Sequence, residues 1–175
     1  MLDAAPIKEG DNAMVPQAAT LAGRLNAWRP TSPAAALGLC VEYLSQKPAF
    51  AALPFGEWSQ VLFHQVARGH YIFVIDGEQR IRGFLGWALT DRAFAEHWVG
   101  GQAGLRNESG DEGDCVIVNA WAADDAGANR FLRAAVVRLF ADRRAVYYKR
   151  HYRDGRERPV KLIVPTHRRA GHARP

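Results

Sequence analysis

The stretch CVIVNAW, residues 115–121, places the strongest constraint on the fold. Its first four residues, Cys115 to Val118, are all apolar, which is typical of a strand that is buried on both faces. We therefore expect this strand at the centre of a sheet. Asn119 interrupts the apolar run where the strand should be ending. Asn119 is thus either part of a site or a polar group that is tied into a turn.

Two helices are predicted before this strand. The run PAAALGLCVEYLSQ, residues 33–46, repeats apolar residues at helical spacing, and Thr31 or Ser32 can cap it. The run PFGEWSQVLFHQVARG forms a second helix, and Gly69 is its expected left-handed stop. The predicted core stripe of this second helix consists of Phe55, Trp58, Leu62 and Val66.

Two hairpins complete the pattern. HYIFVID and RIRGFLGWALT are predicted strands around a DGEQ turn, and AVYYKRHY and RPVKLIV are predicted strands around RDGRE. A short helix at residues 91–99, with Thr90 as its cap, and a long helix at residues 128–144, with Asp124 or Asp125 as its cap, lie between them. This order indicates an α+β domain with a mostly antiparallel sheet. We expect a flexible segment over residues 1–30, the domain over residues 31–164, and a basic tail over residues 165–175.

Composition narrows the class of protein. The chain has 175 residues, of which 48% are apolar, so it is long enough to bury one core. No secretory signal and no apolar run of membrane-spanning length is present. Cys40 and Cys115 lie inside apolar elements, which favours reduced, buried thiols and predicts a cytoplasmic location.

Positive charge is concentrated near the end of the chain. Residues 143–175 hold eleven Lys and Arg and two acids, a net charge of +9, which leaves −4 for the remainder. This asymmetry favours an acidic partner. Nucleic acid, an acidic protein and a solvated tail without a partner all remain open at this point.

Known chemical motifs are missing from the sequence. The six histidines are not paired with cysteines or carboxylates at metal-ligand spacing, so no metal site is predicted. No Walker loop and no Gly-x-Ser-x-Gly elbow is present. Motifs alone therefore indicate only an α+β domain.

Several short stretches resemble the toxin-activating lysine acyltransferases, the enzymes that acylate RTX protoxins such as hemolysin. LSQKPAF is similar to the family's Trp-x-x-Ser-Pro-x-His segment, and Leu53-Pro54 stands at its Trp-Pro. ARGHYIFV and the segment Gly86-Trp87-Ala88 resemble the family's first two strands, the second of which carries Ser-Trp-Ala in the family. Gly113-Asp114 followed by Trp121-Ala122-Ala123 is similar to Gly-Asp…Asp-Trp-Ile-Ala. The resemblance runs from about residue 36 to residue 164, roughly three-quarters of the chain.

The resemblance implies a GNAT-like fold and a fatty-acyl transfer reaction. Acyl carrier protein would be the co-substrate, a lysine of a secreted RTX-type protein the acceptor, and a homodimer the working form, with no tightly bound cofactor. The family's catalytic histidine falls on Phe50, an asparagine of its next helix on Val61, and its aspartate on Ala120 or, with a shift of one residue, on Asn119. The family's histidine and aspartate are therefore both replaced.

Candidate residues for a relocated site are Asn119, His70 and His64. Asn119 can donate a hydrogen bond to a thioester carbonyl. His70 follows the second helix, and its alternative interpretation is a cap of that helix; the alternative for His64 is an exposed surface residue. Trp87 and Trp121 are candidates for an acyl slot or for plain core packing. The candidates for contact with the carrier or substrate are Lys149, Arg150, His151, Arg153, Arg156 and Arg158.

Three interpretations follow from these residues. The first is a divergent acyltransferase, and the second is a non-catalytic relative that binds the carrier or the secreted partner as a regulator or chaperone. The third is a nucleic-acid-binding domain, in which the tyrosines and arginines of KRHYRDGR and the tail HRRAGHARP contact bases and phosphates. The basic end favours the first two, because acyl carrier proteins are strongly acidic.

Overall fold

The structure is a computed structural model that describes residues 24–105, 112–151 and 157–163, with only the backbone of His151 and Glu157. Within these ranges the helices are α1 (Pro33–Ser45), α2 (Pro48–Ala51), α3 (Phe55–Arg68), α4 (Arg92–Val99) and α5 (Ala126–Leu139). The strands are β1 (Asn26–Trp28), β2 (Tyr71–Ile75), β3 (Ile81–Thr90), β4 (Cys115–Ala123), β5 (Ala145–His151) and β6 (Glu157–Ile163).

The six strands form one sheet in the order of the sequence. All neighbours pair antiparallel except β4 and β5, which pair parallel through the α5 crossover. The predicted α+β class, with a mostly antiparallel sheet flanked by helices, is confirmed. The predicted central position of residues 115–121 is confirmed as well, because β4 lies between β3 and β5.

Helices cover both faces of the sheet. On one face Leu132, Val136 and Phe140 of the α5 segment pack on Val116 and Val118 of β4. On the other face α1 and α3 pack on β2, β3 and the far end of β4, and α4 packs on Cys115 and Ile117. We call these the α5 face and the α1/α3 face.

The predicted caps are largely confirmed. Ser32 caps α1, Gly69 ends α3 with φ 68°, and Asp125 caps α5. The prediction of Thr90 as the cap of α4 is wrong, because Thr90 is the last residue of β3. Asp91 caps that helix, and its carboxylate accepts a hydrogen bond of 2.8 Å from the backbone N–H of Phe94.

Three other sequence predictions need correction. Phe55 is 68% exposed and does not belong to the core stripe of α3, because it occupies the first position of the helix. The short helix α2 was not predicted. Strand β1 lies in the segment that we expected to be flexible, and Trp28 pairs in register with Phe73 of β2. Residues 1–23 and the tail at residues 165–175 lie outside the described residues.

The two cysteines are buried free thiols, as predicted. Burial raises the pKa of Cys40 to about 12 and is the main cause that raises the pKa of Cys115 to about 11. Both side chains therefore serve as small apolar core residues at neutral pH. Among the described helices, none combines the length and the apolar character that a membrane crossing requires.

Candidate functional site

Strand β4 contains a β-bulge at Asn119. On the neighbouring strand β3, Gly86 pairs with Ala120 and the next residue, Trp87, pairs with Val118. Asn119 therefore has no opposite residue in the β3–β4 register. A bulge of this kind bends the strand and redirects a side chain, and bulges are frequent beside active sites.

The bulge coincides with the point where β4 and β5 separate. The two strands pair in register from Cys115 and Ala145 to Val118 and Tyr148, and no pairing follows beyond these residues. A cavity of about 370 Å³ lies at this point. Its walls come from both faces of the sheet and from the two strands themselves: Ala49, Phe50, Leu53, Trp98, Val118, Asn119, Trp121, Asn129, Arg133, Tyr148, Lys149 and Arg150.

Most of the cavity wall is apolar or aromatic. Trp121 and Tyr148 contact each other on the α5 face, with ring centroids 5.9 Å apart, and the Trp121 indole N–H donates to Asn129 Oδ1 at 2.9 Å. Lys149 places its ammonium nitrogen 5.1 Å from the centre of the Trp98 ring. The wall thus combines apolar surface with three cations, Arg133, Lys149 and Arg150.

Asn119 is held by a buried glutamine of α3. Gln65 is 4% exposed, and its Nε2 donates to Asn119 Oδ1 at 2.6 Å and to the backbone carbonyl of Trp87 at 3.3 Å. Gln65 Oε1 and Asn119 Nδ2 are both enclosed and have no hydrogen-bond partner within the described residues. The bulge therefore places two amide groups, those of Gln65 and Asn119, inside an otherwise apolar core.

A second polar cluster ties one wall of the cavity to the end of β4. Asp124 accepts a hydrogen bond from the Tyr43 hydroxyl at 2.8 Å, and its carboxylate lies 2.6 Å from the Lys47 ammonium. Burial and the Asp124 carboxylate raise the pKa of Tyr43, so its hydroxyl stays protonated. Because Lys47 directly precedes α2, this cluster fixes the helix that carries Ala49 and Phe50 into the cavity wall.

The structure brings together four of the predicted site residues. Asn119, Trp121, Lys149 and Arg150 all line the cavity. Arg158 is exposed on β6, opposite Arg150 in the β5–β6 register. Arg153, Arg156 and the side chain of His151 lie outside the described residues.

The other three predicted site residues lie elsewhere. Trp87 packs against Phe140 below α5, with ring centroids 5.3 Å apart, and His70 stacks on Trp87 at 5.8 Å. His64 is half-buried beside Phe63, at 5.4 Å between ring centroids. None of these three side chains lines the cavity, although the His70 backbone N–H donates to the Gln65 carbonyl at 2.9 Å.

Sequence reasoning missed Gln65 as a partner of Asn119. Gln65 follows Trp58 and Leu62 at the spacing of a buried helix stripe, seven and three residues later. A polar residue in such a stripe is a detectable signal, because buried polar groups need partners. The cavity residues Asn129 and Arg133 of α5 gave no comparable signal.

The chain folds into an α+β domain with a cavity whose wall is partly apolar and partly cationic. Residues 29–163 match the RTX toxin acyltransferase family, and the chain therefore belongs to that family. The resemblance read from the short motifs is confirmed. Phe50 lies in the cavity wall, whereas Ala120 is fully buried against the α1/α3 face.

A solved structure also matches the chain. It is described as histone acetyltransferase HPA2 and related acetyltransferase from Corynebacterium glutamicum, and it is 15% identical in sequence with a TM-score of 0.41. The match covers 73% of this chain and 76% of that chain. Comparison with curated proteins finds no match.

Proposed function

We propose that the protein transfers a fatty-acyl group from acyl carrier protein to a lysine of a secreted RTX-type protein. The observation that carries this proposal is the cavity at the Asn119 bulge, in a member of an acyltransferase family. A volume of about 370 Å³ lies within the range of small-molecule sites. The aromatic wall suits an alkyl chain, and the amide groups suit its thioester head.

The reaction begins with the neutral amine of the substrate lysine. Its nitrogen attacks the thioester carbonyl carbon, a C–N bond forms, and the carbonyl oxygen becomes an oxyanion. The oxyanion then collapses, the C–S bond breaks, and the carrier leaves as a thiolate that takes up the proton released by the amine nitrogen. Asn119 Nδ2 donates to the oxyanion, and binding of the donor has to part the side chains that now enclose this nitrogen.

The protein contributes position and polarity more than proton transfer. The described residues that line the cavity include no histidine, aspartate or glutamate. The lysine ammonium must therefore lose its first proton to solvent before attack, since the described wall offers no imidazole or carboxylate as a base. Catalytic roles for His64 and His70 stay predictions and are not used in this reaction.

Charge around the cavity supports an acidic protein as the donor. Helix α5 contains three arginines and no acid, and among the described residues neither Arg130 nor Arg133 is paired with a carboxylate. Arg133 reaches the cavity wall, and Lys149 and Arg150 approach the same wall from β5. A cationic surface of this kind steers and orients an acidic carrier.

The start of α5 does not suit a nucleotide donor. The N-terminus of a helix that follows a strand is a common site for a diphosphate. Here Asp125 accepts the backbone N–H of Ala128 at 2.8 Å, and Asp124 lies beside it. Asp124 and Asp125 are also paired with Lys47 and Arg82, so a diphosphate would have to displace the cap and these ion pairs, which favours acyl carrier protein over an acyl nucleotide.

A non-catalytic relative with the same partners is the second candidate. What favours it is the resemblance in the sequence, which places Phe50 at the family's histidine and Ala120 or, with a shift of one residue, Asn119 at its aspartate. Such a protein would bind the acylated carrier or the secreted protein without transfer. The cytoplasmic location and the homodimer stay predictions under both candidates.

Intact-mass measurement tests the proposal. The purified protein is incubated with acylated carrier protein and a secreted glycine-rich repeat protein, and the masses of all three chains are followed. We expect the repeat protein to gain the mass of one acyl group and the carrier to lose it. Carrier binding without any mass transfer would reject the enzymatic function and favour the binding function, and salt-sensitive binding of nucleic acid without carrier binding would reject both.

A further inference from the structure

We infer that Gln65 is a positioning residue that fixes the orientation of Asn119 at the bulge, with Gly86 leaving the space that Gln65 occupies. This inference deepens the proposed function and rests on it for the catalytic role of Asn119. The hydrogen-bond geometry itself does not depend on which reaction the cavity supports.

The direction of the Asn119 amide follows from a chain of hydrogen bonds. A backbone carbonyl can only accept, so Gln65 must present its Nε2 to the carbonyl of Trp87. The second hydrogen of the same nitrogen then reaches Asn119, which must present Oδ1. Asn119 Nδ2 is consequently directed away from Gln65, and its donor hydrogens are kept for another partner.

This arrangement lowers the stability of the fold. Gln65 Oε1 and Asn119 Nδ2 are enclosed without a hydrogen-bond partner among the described residues, and enclosed polar atoms without partners destabilise a fold. A leucine at position 65 would join the core of Leu62 and Val66 and remove the unpaired Oε1, but it would leave Asn119 Oδ1 without this donor. A polar pair that destabilises the core beside a cavity is expected where function requires it.

Gly86 explains how a glutamine fits against the sheet. A Cβ atom at this position would lie 2.8 Å from Gln65 Oε1 and 2.9 Å from Gln65 Nε2, inside contact distance. The Gln65 amide therefore lies against the backbone of β3 at Gly86, directly beside the register shift between Gly86 and Trp87. Gly86, Gln65 and Asn119 form one constellation drawn from three elements.

The test replaces Gln65 by leucine and by glutamate, which keeps the shape of the side chain and removes the donor. Gln60→Leu on the exposed side of α3 is the matched control. The first readout is the side-chain NH₂ signals of Asn119 in ¹⁵N NMR spectra. We expect these signals to shift in both Gln65 variants and to stay in place in the control. Unchanged Asn119 signals in Gln65→Leu would overturn the inference.

The second readout is the kinetics of acyl transfer. We expect Gln65→Leu to lower kcat by about 100-fold with the KM for the carrier unchanged, because a misplaced donor acts on the transition state. In an Asn119→Ala background the same change should cause no further loss. A full additional loss in that background would also overturn the inference. Shifted Asn119 signals in the Gln65 variants, together with a wild-type protein that transfers no acyl group, would reject the proposed function and confirm the orienting role of Gln65.

Discussion

The two halves of strand β4 differ in how they pair with their neighbours. Both halves pair with β3, but only the first half also pairs with β5. From Cys115 to Val118 the strand is buried, hydrogen-bonded to neighbours on both sides, and covered by helices on both faces. From Asn119 onward it pairs with β3 alone, and the side chains of Asn119 and Trp121 border a cavity. One extra residue, Asn119, separates a half that carries stability from a half that can carry function.

The position of the bulge is what makes this division possible. A bulge inside the paired half would break two ladders at once, whereas at Asn119 it disturbs only the β3–β4 ladder. Substitutions in the paired half should therefore act on the free energy of unfolding. Substitutions in the open half should act on acyl transfer.

The largest effect on stability is expected for Ile117→Ala in the paired half. Ile117 is fully buried between β4 and α4, so its truncation leaves a cavity and should lower the free energy of unfolding by about 2–5 kcal/mol. Urea denaturation followed by circular dichroism measures this change. A loss no larger than that of an exposed substitution such as Val137→Ala would contradict the assignment of this half to the core.

Asn119→Ala should have the largest effect on activity. Removal of one oxyanion donor lowers kcat by about 100- to 1000-fold in enzymes that use one. The loss in the free energy of unfolding should be smaller than for Ile117→Ala, because the substitution also removes an unpaired buried amide nitrogen. Steady-state rates with acylated carrier, compared with urea midpoints, separate the two effects. Equal activity of Asn119→Ala and wild type would remove Asn119 from the site.

Arg133→Glu should act on binding of the donor. The substitution reverses one charge at the cavity wall, so the affinity for acidic carrier should fall by about tenfold at low salt and the salt dependence should weaken. Titration calorimetry at two salt concentrations measures both quantities. Arg138→Glu, on the same helix but outside the cavity wall, is the matched control. Equal losses in the two variants would place the carrier elsewhere on α5.

The smallest effect on stability is expected for the ion pairs of Glu96, which lies on α4, the helix that carries Trp98 into the cavity wall. Glu96 of α4 accepts hydrogen bonds from Arg92 at 2.8 Å and Lys161 at 3.0 Å, and these partners lower its pKa to about 2. A lowered pKa means that the carboxylate stabilises the fold above its unfolded pKa of about 4.3 and that this contribution disappears as the pH falls toward 2.

Glu96→Gln tests this contribution. The Tm of wild type should exceed that of the variant slightly near pH 7, and the two values should converge in acid. Differential scanning calorimetry across this pH range measures the difference. A difference that grows as the pH falls would contradict the assignment.

Local patterns in the sequence predicted much of the fold, and long-range contacts explain the rest. The helical spacing of α1, the left-handed stop at Gly69 and the apolar run of β4 each act within a few residues, and all were predicted. Strand β1 was missed because its three residues have no periodicity and are a strand only through pairing with β2. Phe55 was wrongly assigned to the core stripe of α3, because helical spacing does not show whether a residue in the first turn reaches the core or stays exposed.

The candidate site was likewise predictable only where a local sequence pattern marks it. Asn119 could be singled out from the sequence because it interrupts an apolar strand. Its partner Gln65 is 54 residues away, and the contact depends on a register shift opposite Gly86 that no local pattern encodes. The cavity itself depends on where β4 and β5 separate, which follows from tertiary packing.

The central claim is that the acyl chain occupies the cavity where β4 and β5 separate. This claim can be tested directly with acyl carrier protein that is loaded with a fatty acid ending in a photoreactive diazirine. The complex is irradiated, and the labelled residues are located by mass spectrometry. We predict labels on cavity residues such as Phe50, Val118 and Trp121, and their loss on competition with ordinary acyl carrier. Labels confined to surfaces remote from this cavity, in a complex that still forms, would contradict the claim.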